Sequence, residues 1–277
     1  MGVSTMSDYN RNIGSAPFGQ AIGQAVAVDE GLRAYMLRVY NYMALGLAIT
    51  GLAALGIYML SVTGDMALAA KVVRNGAEVP ARIPGGLYLT QFGYYIYVSP
   101  IKWVIMLAPL AMVFVLSFGV ERMRPATAQI TFWIFAALMG ISLSSIFLVF
   151  THTSIVRVFF ITAASFGALS LWGYTTQRDL SGMGSFLMMG LFGVILASLV
   201  NLFMQSSALQ FAVSVIGVIV FSGLTAWDTQ RLKNEYLYGA MDGETAERAS
   251  ILGALSLYLN FINLFTLLLQ LLGQRDE

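Results

Sequence analysis

Seven stretches of the chain carry apolar side chains with almost no charge, at roughly 40–62, 103–120, 129–150, 155–174, 184–204, 209–227 and 251–272. Each approaches the ~20 residues an α-helix needs to cross the hydrocarbon of a bilayer. Backbone N–H and C=O groups find no partner in hydrocarbon, so only a helix or a closed barrel can span it. The alternating ten-residue segments of a membrane barrel are missing. The pattern therefore predicts an all-α membrane protein, a bundle of seven transmembrane helices. Turn chemistry or charge separates the runs: Arg122-Met123-Arg124-Pro125, Gln177-Arg178-Asp179, Gly182-Met183-Gly184 and Gln205-Ser206-Ser207.

Two polar segments divide the rest. Residues 1–38 are Gly/Ala/Ser-rich and read as a flexible arm, running into an amphipathic lead-in near Leu32–Tyr40. They lack the short apolar core and small-residue cleavage site of a signal peptide. Residues 39–273 form the membrane domain. Within it, residues 63–102 make a long extracytoplasmic loop rich in Gly, Pro and aromatics, among them Tyr88, Phe92, Tyr94, Tyr95 and Tyr97, with Trp103 at its boundary. Such rings anchor spans at the headgroup level or line a partner surface. No internal repeat is evident.

Composition sharpens the picture. Hydrophobic residues make up 58% of the 277 and charged ones 10%, against about 45–50% and about 25% in a soluble domain. The net charge of +1 provides no basic field for nucleic acid. There is no cysteine and one histidine, His152, so disulfides, thiolate metal sites and histidine clusters are excluded. Cytoplasmic segments are enriched in Lys and Arg. With the N-terminus cytoplasmic, that side holds Arg11, Arg33, Arg38, Arg122, Arg124, Arg178, Arg231, Lys233 and Arg248. The other side holds Lys71, Arg74, Arg82, Lys102, Arg157 and Arg275, four of them in the one long loop. The expected orientation is N-in and, with seven spans, C-out.

Polar side chains inside hydrocarbon are costly and usually face the bundle interior. The seventh span carries Ser256, Asn260, Asn263 and Gln270, spaced for one helical face, with Leu267 read as lipid-facing. That face predicts a buried, central seventh helix. It serves either as interhelical hydrogen-bond glue or as a polar path. As glue, Asn263 should leave unpaired partners when replaced by leucine. A weaker stripe on the fifth span, Ser198, Asn201 and Gln205, has the same two readings. Asp228 abuts an apolar run and leads into Arg231 and Lys233. It is either an interfacial aspartate pairing with Arg231 or a carboxylate partly buried in the bundle, where an ionisable group points to function. Ser142, Ser144, Ser145 and His152 could form a hydrolase only within hydrogen-bond reach of one another, and helix packing is the simpler role. No phosphate loop, metal motif or dinucleotide fingerprint appears, so neither a cofactor nor an enzymatic activity is expected.

The stretch Val218-Ile-Val-Phe-Ser-Gly-Leu-Thr-Ala-Trp-Asp228-Thr-Gln-Arg-Leu-Lys233, followed by Ala254-Leu-Ser-Leu-Tyr-Leu-Asn260-Phe-Ile-Asn-Leu-Phe265, resembles the Bax inhibitor-1 family of membrane proteins. Gly140-Ile-Ser-Leu-Ser and the Asn201 region fit as well, and the resemblance extends over roughly residues 30–273. It implies a seven-helix bundle with a central last helix and a calcium-permeable, pH-sensitive leak. In the family, an aspartate ending the sixth span shares a proton with one in the seventh and contacts an arginine at the cytoplasmic end of the second. Asp228 matches the first aspartate and Arg122 falls where the arginine is expected. The second aspartate is replaced by Asn260, and an amide cannot titrate. A family arginine late in the seventh span is Gln270 here, and its acidic partner in the second span is Ala111.

Two functions follow from the resemblance. One is a passive calcium leak, with Asp228 giving cation affinity and Asn260, Asn263 and Asn201 acting as neutral oxygen ligands for a hard cation. Its pH dependence should be weak, because the paired carboxylates are missing. The other is a non-conducting modulator of a membrane protease or another integral protein, as some bacterial members are described. Either way the surrounding partner is the lipid bilayer, and the expected location is a bacterial inner membrane.

Overall fold

A computed structural model describes residues 18–74, 77–239 and 243–276, with side chains from Glu30 onward except that of Arg74. Seven helical segments are long and apolar enough to cross a membrane: Glu30–Ser61, Ile101–Arg122, Pro125–Val149, His152–Thr175, Ser181–Met204, Ser207–Tyr238 and Gly243–Leu272. The chain is an integral membrane protein of the all-α class.

The first helix, α1 (Phe18–Ser61), begins well before the apolar run at residue 40. Leu32, Tyr35, Met36 and Val39 are buried while Arg33, Ala34, Leu37 and Arg38 stay exposed. That is one face of a 3.6-residue period, so the amphipathic lead-in is a continuous part of the span. Residues 1–17 of the expected arm lie outside the described residues.

The segment after α1 is folded. Strand β1 (Val62–Thr63) pairs antiparallel with β4 (Tyr88–Leu89), and β2 (Lys71–Arg74) with β3 (Ala77–Pro80). Ala70, Ala81 and Leu89 form a small core against Tyr94 and Tyr97. Gly85 and Gly86, both at φ 77°, make the return before β4, a conformation glycine adopts without a Cβ clash. A short helix, α2 (Gln91–Tyr97), follows. Thr90 caps it by accepting from the Gly93 N–H at 3.1 Å. Tyr97 donates to Ser144 Oγ at 3.0 Å, seating this cap on the membrane domain. The strands are two to four residues long, too short to register as alternation in the sequence. Phe92, Tyr95 and Trp103 remain exposed.

The remaining helices are α3 (Ile101–Gly119), α4 (Pro125–Leu143), α5 (Ile146–Val149), α6 (His152–Thr175), α7 (Ser181–Met204), α8 (Ser207–Tyr238) and α9 (Gly243–Leu272). A 3₁₀ turn at Val120–Arg122 extends α3, and the Ser144–Ser145 break divides α4 from α5 inside one predicted span. After α9 the chain returns to the α5–α6 turn, where Thr151 N–H donates to Gln274 O at 3.0 Å. The chain direction places Arg33, Arg122, Arg124, Asp228 and Lys233 at one face of the bundle. The β-strand cap and Gln274 lie at the other.

α9 is the most enclosed span. Its most apolar window is 61% buried, against 17–39% for the other six. It packs against α1, α4, α6 and α8. Tyr258, at its middle, shares a 2.6 Å hydroxyl contact with Thr50 of α1, and Thr50 Oγ1 lies 2.8 Å from Ala136 O of α4. Small residues bring the helices together. A Cβ on Gly140 would meet Thr50 O at 2.4 Å, and one on Gly173 would meet Ala226 O at 2.2 Å. Leu267, read as lipid-facing, is instead buried against Gly217 of α8. The leucine-rich composition of α9 hides which of its faces meets protein.

Candidate functional site

Asp228 sits where α8 still packs against α9, one turn before the basic residues begin. Its side chain is buried, at 4% exposure. Ser256 and Asn260 stand four residues apart on α9, so they project from one face. Both donate to the same carboxylate oxygen, Oδ2, Ser256 Oγ at 2.8 Å and Asn260 Nδ2 at 2.6 Å. Arg231, three residues along α8, lies 2.8 Å from Oδ1 and also reaches Ser256 Oγ at 3.3 Å. The Arg231 guanidinium lies over the Trp227 ring, 5.0 Å from its centroid. Trp227 in turn rests on α7 at Gly184, where a Cβ would strike the indole. The Arg231 side chain is 45% exposed, so the ion pair closes the buried carboxylate off from water on one side.

Neighbouring residues of α8 are tied down as well. Thr229 Oγ1 contacts Ser170 Oγ at 2.9 Å, and Ser170 contacts Tyr40 OH at 2.6 Å, a hydroxyl chain from α8 through α6 to α1. Gln230 accepts from the Leu180 N–H and donates to Arg178 O, both at 2.8 Å, pinning the α6–α7 turn. In that turn the Ser181 hydroxyl and backbone N–H hold the exposed Asp179 carboxyl below its usual range. Lys233 donates to Tyr174 O at 2.9 Å.

Of the residues singled out in the sequence, the structure brings together Asp228, Arg231, Ser256 and Asn260. Arg122 is not with them. It is exposed at the end of the 3₁₀ turn after α3, and among the described residues it makes no ion pair. Arg231 makes the contact with the Asp228 carboxylate that was expected of Arg122. Asn263 donates to Leu259 O of its own helix at 2.8 Å, and no hydrogen bond among the described residues joins it to Asp228. Asn201 lies at the other end of the bundle. It donates to Gln210 at 2.9 Å and accepts from the Ser206 N–H. Gln210 donates to Gln270 at 2.5 Å, and Ser214 approaches the same Gln270 oxygen at 2.9 Å. Gln210 and Asp228 are 18 positions apart on α8, about 27 Å along the helix. The one-face stripe of α9 thus feeds two clusters at opposite ends. Gly217, Val220, Phe221 and Leu224 of α8 and Leu264 and Leu267 of α9 lie between them, all buried.

The hydroxyl chain and the Gln230 clamp were missed by sequence reasoning. Their signal is the uninterrupted polar run Asp228-Thr229-Gln230 at the end of an apolar helix, whose members must each find a partner on a different neighbour. His152 packs against Tyr58 and Phe147, and Ser144 binds Tyr97 and Ile141 O. Neither is hydrogen-bonded to the other.

Among the described residues no group of three or more acidic, histidine or cysteine side chains could hold a metal. Asp228 offers one carboxylate, and the Ser256 hydroxyl, the Asn260 amide and the Arg231 guanidinium all donate to it.

Comparison with known proteins agrees with this architecture. The family model described as "Inhibitor of apoptosis-promoting Bax1" matches residues 32–277. An uncharacterised protein of Rickettsia prowazekii is 49% identical over 249 residues, covering 90% of this chain and 93% of the relative. One from Caulobacter vibrioides is 41% identical over 273 residues, 98% of this chain and all of the relative. The Escherichia coli "Inner membrane protein YbhL" is 43% identical over 247 residues, 88% of this chain and 93% of the relative. By this match and these identities, the chain belongs to the Bax inhibitor-1 family of membrane proteins.

Proposed function

We propose that this protein is a latched, passive cation pathway of a bacterial inner membrane, with calcium as its cargo and Asp228 as the carboxylate that receives it. The observation that carries this reading is a buried carboxylate, held on one oxygen by Asn260 and Ser256 and on the other by a half-exposed arginine. A buried acid in a membrane span is costly to keep. Arg231 is the movable partner, since water already reaches it. In the latched state it neutralises the acid. Swung into solvent, it leaves Oδ1 free for a hard cation, which favours oxygen ligands. The amide at position 260 removes the second titrating group, so the latch responds weakly to pH. The inner-membrane placement rests on the similarity to the Escherichia coli inner membrane protein. The Arg33 face is the cytoplasmic one, by its excess of Lys and Arg.

A second reading is a non-enzymatic, non-conducting modulator of a membrane protease. It is favoured by the apolar band of Phe221, Leu224, Leu264 and Leu267 that separates the two polar clusters. Calcium efflux from sealed vesicles containing only this protein distinguishes the two. The leak reading expects efflux above protein-free vesicles, lost in Asp228→Asn. Efflux indistinguishable from empty vesicles would leave the modulator reading.

A further inference from the structure

The bundle has an open seam. α1 and α6 both pack on α9, yet they make little direct contact with each other beyond the Tyr40–Ser170 bridge. Two cavities occupy the gap. The larger, of about 720 Å³, lies toward the Arg33 face between Met36, Tyr40 and Met43 of α1 and Phe166, Gly167 and Tyr174 of α6. The smaller, of about 280 Å³, continues toward the cap face past Gly51, Ala54 and Phe159. Both share Leu47 and Phe261, so they lie end to end along the seam above α9. From Arg33 to Ala54 is 21 positions of α1, ~32 Å of helix, close to the ~30 Å of bilayer hydrocarbon.

Two glycines mark the groove as space the protein does not fill. A Cβ built on Gly167 or Gly51 meets nothing within 4 Å. Neither residue has the positive φ that would require glycine. This contrasts with Gly140 and Gly173, whose missing side chains admit another helix. Away from Arg33 and Tyr174 the lining is apolar except for the Tyr40 and Ser170 hydroxyls, which satisfy each other at 2.6 Å, and Thr50, whose hydroxyl is tied to Tyr258. Its chemistry changes at one end only. Arg33 closes the larger cavity and has no ion pair among the described residues. Lys233 stands over the Tyr174 ring that lines the same end, its ammonium 5.4 Å from the centroid. The larger cavity, an apolar trough with positive charge at its mouth, complements an amphiphile that has an anionic head in the leaflet on that side.

We propose that this groove binds one anionic glycerophospholipid from the surrounding leaflet, an acyl chain lying against Gly167 and Phe261 and the phosphate resting on Arg33 with Lys233 beside it. Basic pockets between spans recognise anionic headgroups through this combination of charge and buried chain. None of the Asp228, Ser256, Asn260 or Arg231 side chains lines the groove, so lipid binding can be read without measuring ion flux.

The test is native mass spectrometry of the full-length protein, delipidated in mild detergent. It is then offered phosphatidylglycerol and phosphatidylcholine with identical chains at equal concentration. The parent should retain a single lipid and prefer phosphatidylglycerol by about fivefold per basic side chain engaged. Arg33→Gln should lower that preference about fivefold. Gly167→Leu, which places a side chain in the open groove, should reduce occupancy by both lipids while its thermal midpoint stays at or above that of the parent. Equal retention of the two lipids by the parent would overturn the proposal. So would undiminished retention by folded Gly167→Leu, or a dimer that this substitution dissociates, which would assign the groove to a second copy of the chain.

Discussion

At the level of single residues, three donors hold Asp228 in place. Replacing Asn260 by leucine removes one donor from a buried carboxylate oxygen and should cost about 1–3 kcal/mol, seen as a lower thermal midpoint in detergent. Asn263→Leu should stay within about 0.5 kcal/mol of the parent, because its amide serves only a carbonyl of its own helix. Equal losses in the two variants would mean that Asn263 binds a neighbouring helix. This reverses the expectation from spacing alone. Positions 256, 260, 263 and 270 do share a face of α9, but periodicity cannot say which neighbour each side chain meets. Asp228 and Asn260 were legible because a charge beside an apolar run and an amide within one must be accounted for. Arg231 was legible as a partner three residues away. The rejection of Arg122 was not, since it depends on where the turn after α3 ends relative to α8.

At the scale of helices, close approach is set by glycines, and these make paired predictions. Gly173→Ala pushes α6 away from the Ala226 carbonyl of α8 and should destabilise by about 1–3 kcal/mol. Gly167→Ala, six residues earlier on the same helix, meets open space and should be neutral or stabilising by up to about 1 kcal/mol through helix propensity. Thermal unfolding of the two variants in one detergent checks the contrast, and a midpoint that falls in both would argue against α6 packing as described. The seven spans were legible because uncharged runs of about 20 residues have few alternatives in a bilayer. Their ends were less so. α8 runs ten residues past Asp228 to Tyr238 and α1 starts well before residue 40, because helical hydrogen bonding continues through mixed-charge sequence once an apolar face remains. The β-strand cap was read as a loop, since strands this short are held by long-range pairing rather than by their own pattern.

At the scale of the whole molecule, topology and conduction can be tested together on a chain with no cysteine of its own. With the Arg33 face in the cytoplasm, Arg124→Cys should resist an impermeant thiol reagent applied outside intact cells, and Glu78→Cys in the cap should react. The reverse pattern would invert the orientation. Conduction bears on the central claim, that Asp228 is a lone carboxylate latched by an arginine and an amide. The Asn260 amide lies 2.6 Å from the Asp228 carboxylate. An aspartate there would set two carboxyl groups against each other, and such a pair must share a proton. The most direct measurement is calcium efflux from proteoliposomes between about pH 6 and 8 at fixed ionic strength, where a coupled pair would titrate and an amide cannot. It compares the parent protein, Asn260→Asp and Asp228→Asn. The account predicts shallow pH dependence in the parent, a steep titration in Asn260→Asp, and no efflux above empty vesicles in Asp228→Asn. A steep titration in the parent that survives Asp228→Asn would contradict it.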